Sequence, residues 1–175
     1  RSYDDAMELL PPGRRRATIA EELTRAVEAR LPGTAARLDE ELLRISPGSR
    51  YPHERRARRT LAQLSDDALS ELDSRTISVQ ALDQANKLLA TTDNDCAGLD
   101  TYANLMIAVG RGPVATTELR RRVESAGGLS CLRTFVSTAS ALHQDAMIDE
   151  TLAYVARVGC IVHGEGGCVD TLLYL

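Results

Sequence analysis

Three ligand-type side chains fall close together near the end of the chain, in Cys160-Ile161-Val162-His163-Gly164-Glu165-Gly166-Gly167-Cys168. Two thiolates and an imidazole at C-x2-H-x4-C spacing suit zinc, which takes four tetrahedral ligands. Cys131 or His143 could supply the fourth. Glycines at 164, 166 and 167 would let the backbone wrap an ion, but the second close ligand pair of a finger-type site is missing. The same sulfurs have two simpler uses. Cys96, Cys131, Cys160 and Cys168 allow three disulfide connectivities, among which sequence does not choose. Cys131 and Cys160 also lie in apolar stretches, where free thiols pack as small hydrophobes. Packed thiols are the plainest reading, a disulfide the next and zinc the third. Zinc is therefore the one candidate cofactor, and none is expected.

Catalysis by a cysteine needs a base and a group to orient it. His163 stands near Cys168, but only Glu165 or Asp170 is at hand for the third role. The glycine-rich run also lacks the Lys-Ser/Thr of a phosphate-binding P-loop. No catalytic residue is assigned and no enzymatic activity is expected.

Arginine carries the other candidate chemistry. The chain holds twenty Arg and one Lys, Lys87, a bias that a GC-rich genome writes through its codons and that points to a high-GC bacterium or a large DNA virus. Arg55, Arg56, Arg58 and Arg59 form the densest run, and Arg120, Arg121 and Arg122 a second. A guanidinium binds carboxylates and phosphates bidentately, so these seven residues are the candidate partner-binding set. The competing reading pairs Arg55–Arg59 with the acidic stretch Asp66–Asp73. A third makes Arg56-Ala57-Arg58-Arg59 a processing site, which a helix would protect from cleavage.

Two further motifs weaken on inspection. Asp93-Asn94-Asp95-Cys96-Ala97-Gly98 begins like a calcium loop, yet its fifth position is Ala97 and its twelfth Asn104 instead of a bidentate glutamate. Thr116–Val123 followed by Cys131–Val136 has a helix–turn–helix cadence, but the second segment offers one Arg and no Asn or Gln to a groove.

The elements that must hold these residues are helices. Apolar residues recur with helical spacing almost throughout, and no strand alternation of useful length occurs. Residues 1–16, broken by Pro11-Pro12-Gly13, read as a flexible tail before a helical domain over 17–175. Helices are predicted from Thr18 to a stop at Pro32-Gly33, from Thr34 to Ile45, from His53 with a break near Ser65, and from Ile77 to Leu89. A fifth carries Leu99, Tyr102, Met106 and Val109 inward. Leu72 joins Leu61 and Leu64 on the third helix's stripe. Ser46-Pro47-Gly48-Ser49 and Tyr51-Pro52 mark a sub-boundary at 46–52. Residues 129–142 hold a single charge, Arg133, and predict a central buried helix, with residues 151–162 similar. The fold class is all-α, a single compact multi-helix bundle.

The chain of 175 residues can bury a real core, and no apolar run approaches a membrane span, so no membrane partner is expected. No Trp and one Phe leave little for an aromatic-lined cofactor pocket or a base-stacking platform. The polar start without Met suggests a domain excised from a longer protein, with an intracellular setting favoured over a secreted one. Residues 1–60 carry a net +3 and residues 61–175 a net −7, summing to −4. The expected function is a helical domain that binds another protein or itself. A nucleic-acid-associated regulator with structural zinc is the alternative, and a secreted, disulfide-containing helical signalling protein the second alternative.

Overall fold

A computed structural model describes residues 14–28, 30–65, 70–92, 96, 98–125 and 131–158. Helices account for nearly all of them: α1 (Arg14–Glu28), α2 (Pro32–Ile45), α3 (Arg50–Leu64), α4 (Glu71–Thr91), α5 (Leu99–Ala108), α6 (Gly112–Glu124), α7 (Leu132–Ala141) and α8 over residues 145–158. The protein is an all-α helical bundle. No described residue lies in a strand, and no described helix is long and apolar enough to cross a membrane. Packing divides the chain into two units, Arg1–Arg56 and Ala57–Leu175. The division falls inside α3, a few residues beyond the turn at 46–52.

Local chemistry explains the helix limits. Pro32 opens α2 instead of ending α1, because the first helical position needs no N–H and favours its fixed φ. α1 begins at Arg14, so the triple-arginine run belongs to its first turn and not to the expected tail. α4 starts six residues ahead of Ile77 because Ser70 caps it, its hydroxyl accepting from the Asp73 N–H at 3.2 Å and bonding the Asp73 carboxylate. Leu72 consequently sits in the first turn of α4, exposed, and not on the stripe of α3.

In the first unit, α1 packs along α2, with Ala20 and Leu42 buried and Leu23 and Ile45 beside them. The second unit has the larger core. α4 packs on α5, α5 on α6, α6 on α7, and α5 also meets α7. Leu88, Leu99, Leu105, Leu119 and Phe135 are fully buried there, interleaved with Ala81, Ala85, Ala103, Ala115 and Ala139, whose small side chains let the backbones approach. Gly112 marks a close approach: a Cβ added there would lie 2.7 Å from a methyl of Leu142. The central place expected for residues 129–142 is shared. α5 hides six of its ten residues, while α7 buries Leu132, Phe135, Thr138 and Ala139 and exposes Arg133, Ser137 and Ser140. α8 contributes Val155, with Met147, Ile148, Leu152 and Tyr154 packed partly against the same core.

Five of the buried threonines bond to carbonyls of their own helices. The hydroxyls of Thr24, Thr92, Thr138 and Thr151 donate to the carbonyls of Ala20, Leu88, Thr134 and Met147, four residues back, at 2.7–2.8 Å. Thr116 donates to Pro113 three residues back.

Candidate functional site

The arginines divide according to what they meet. Arg55 is turned inward in the first unit, where its Nε donates to the Asp39 carboxylate at 2.7 Å, with both side chains buried. Arg55, expected among the partner-binding residues, is held inside this unit instead of on its surface. Asp39 occupies a place in the buried stripe of α2 with Ala35, Leu38 and Leu42, and a buried carboxylate there requires a cation. Arg56 approaches Glu40 at 3.8 Å. Arg58 is exposed and Arg59 half-buried. Close by, the guanidiniums of Arg25 and Arg50 lie 5.0 and 5.5 Å from the centre of the Tyr51 ring, within cation–π range.

The second run, on α6, is also engaged within its own unit. Arg120 bridges Glu124 at 2.7 Å and Glu150 at 3.0 Å, tying α6 to α8. Arg121 pairs with Glu118. Arg122 bonds Glu118 and donates to the carbonyls of Leu89 and Thr92, each at 3.1 Å, thereby capping the C-terminal end of α4. The Tyr154 hydroxyl donates to the Glu124 carbonyl at the end of α6.

Glu118 therefore stands between two guanidiniums. Its hydrogen bond with Arg121 is the main cause holding the carboxyl below its ordinary range. Burial opposes that shift and Arg122 reinforces it. A folded-state pKa below the unfolded one means that the ionised form contributes stability above the ordinary glutamate pKa. That contribution disappears as pH falls through the folded value. Glu118→Gln is expected to lower stability at neutral pH and to flatten the fall in melting temperature on acidification. An unchanged pH slope would show that the cluster contributes nothing to folding.

The sulfur chemistry is resolved in part. Cys96 and Cys131 form a disulfide with Cα atoms 5.2 Å apart, inside the usual range for such a bridge. Of the readings open for Cys131, this is the disulfide, and a sulfur so bonded offers no thiolate to a metal. Cys160, His163 and Cys168 lie outside the described residues, as do Asp93–Asp95 of the calcium-like loop. His143 is exposed beyond the end of α7. Among the described residues no group of three or more His, Cys, Asp or Glu is placed to hold a metal ion.

One surface feature was not anticipated. Residues 71–80 of α4 form almost three turns without a buried side chain, and Leu72 and Val79 on that stretch are 75% and 68% exposed. From Ala81 onward the same helix buries Ala81, Ala85 and Leu88. Leu72 and Val79 are seven residues apart, two helical turns, and so share a face. No protein-family model, curated protein or solved structure matches the chain. Leu72 and Val79 could have been found from the capping signal: Ser70 followed three residues later by Asp73 marks a helix start that places Leu72 in a first turn.

Proposed function

We propose that this protein is a helical self-association domain without catalytic activity, and that a second copy docks on the first half of α4. The observation that carries this reading is the Leu72–Val79 face. Single apolar side chains on a surface are ordinary. Two at heptad spacing, on a stretch with no buried side chain, begin a helix–helix seam. A closed dimer contact must be self-complementary, and an antiparallel twofold pairing sets Leu72 of each copy against Val79 of the other. The Glu71–Arg75 pair flanks that seam on each copy.

Sedimentation velocity over a concentration series tests the reading. Wild-type protein is expected to shift from monomer to dimer with rising concentration. Leu72→Glu/Val79→Glu is expected to stay monomeric with an unchanged helical spectrum, since both side chains lie outside the core. A wild type that remains monomeric throughout would sink the proposal. Support for the nucleic-acid reading is weaker, because Arg55, Arg120 and Arg122 serve the fold. The secreted, disulfide-containing reading gains one observation, the Cys96–Cys131 bridge, since such bonds persist in oxidising compartments.

A further inference from the structure

The disulfide and a strained backbone meet at one residue. Cys96 has φ +56°, in the left-handed region that a residue with a Cβ adopts at a cost, and Gly98 two residues on has φ +86° at none. The first turn of α5 is built on these two residues. The Leu99 N–H donates to the Cys96 carbonyl at 3.1 Å and the Tyr102 N–H to the Gly98 carbonyl at 3.3 Å. Cys131 immediately precedes α7, so the bridge staples the entries of two helices across a sequence separation of 35. Cys96 and Cys131 are 3% and 0% exposed. A buried bridge of this kind is no surface exchange site, and its reduction is linked to opening of the structure around it.

We propose that Cys96–Cys131 is a redox latch on the entry to α5. Oxidised, it holds Cys96 left-handed and seats the first turn of α5. Reduced, Cys96 relaxes toward ordinary φ and that turn frays, while the leucine–alanine packing of α5 with α6 and α7 persists. The reductant is a dithiol. It delivers two electrons and two protons, the Sγ–Sγ bond breaks, both cysteines become thiols, and the dithiol closes into its own disulfide. This inference is independent of the docking reading on α4.

The test uses the full chain carrying Cys160→Ser and Cys168→Ser, so that one pair alone responds, with intact mass after thiol alkylation confirming each state. Amide hydrogen exchange is followed at Leu99, Tyr102 and, in the middle of α6, Leu119, with and without dithiothreitol. On reduction Leu99 and Tyr102 are expected to lose protection while Leu119 keeps it. Equal loss at all three amides would overturn the latch and leave the bridge a general stabiliser of the unit. No loss at any of them, or no disulfide in air-oxidised protein, would overturn it as well. A second pair of variants isolates the strain, because neither can form the bridge. Leu99 is expected to exchange roughly tenfold faster in Cys96→Ala than in Cys96→Gly, since only glycine occupies the left-handed region freely. Equal rates would remove strained Cys96 as the origin of the effect.

Discussion

Phe135→Ala is expected to cost the second unit about 4 kcal/mol, the usual size for emptying a fully buried aromatic site. Phe135 is the only phenylalanine of the chain and has no exposed surface. Its neighbours in the core are mostly leucines and alanines, which cannot lengthen to fill the space. Domains of this size hold only about 5–15 kcal/mol in all, so the loss should leave a large fraction unfolded at modest denaturant concentration. Urea unfolding with the disulfide intact measures it. Arg133→Ala, on the exposed face of the same helix, is the control and should stay within about 0.5 kcal/mol of wild type. Similar midpoints for the two variants would mean that α7 does not anchor the core.

Asp39→Ala should be equally damaging to the first unit, by roughly 3–5 kcal/mol, because it leaves the Arg55 guanidinium buried without its carboxylate. Glu21 also feels the Arg55 charge, but its own carboxyl is pushed up by burial despite the attraction of Arg25, Arg55 and Arg50. Replacing both partners with apolar residues of similar size, as in Asp39→Leu/Arg55→Met, should recover most of the loss, since no charge is then stranded. Thermal unfolding followed by circular dichroism separates the outcomes. If Asp39→Ala melts with wild type, Arg55 reaches water by another route and the pair is not a fixed part of the core.

The helical class was legible from periodicity, and so were the inward residues Leu99, Tyr102 and Met106 of α5. The positions where the reading slipped share a cause. Pro32 reads as a stop because proline ends helices, yet it equally begins them, as it does for α2. Leu72 was assigned inward because apolar spacing ran on across residues 65–70, whereas the capping hydroxyl of Ser70 restarts the count there. Arg55 shows the reverse error. A cluster of four arginines looks like a surface, but α3 turns one of them inward toward an acid sixteen residues earlier. Asp39 was the clue: a carboxylate within the stripe Ala35, Leu38 and Leu42 asks for a cation. The Cys96–Cys131 pairing joins residues 35 positions apart and depends on how α5, α6 and α7 fold back on one another, which local spacing does not encode.

The buried threonines bear on how this sequence can drift. Because the hydroxyls of Thr24, Thr116, Thr138 and Thr151 each bond a carbonyl of their own helix, exchange to valine, alanine or serine at those positions strands no donor on a neighbouring element. Such changes can accumulate one at a time. Asp39 with Arg55, and Cys96 with Cys131, have no such freedom, since losing either member leaves an orphan, and they must change together or not at all. Among diverging descendants of this chain, correlated substitution should therefore concentrate at those two pairs and be missing from the threonines.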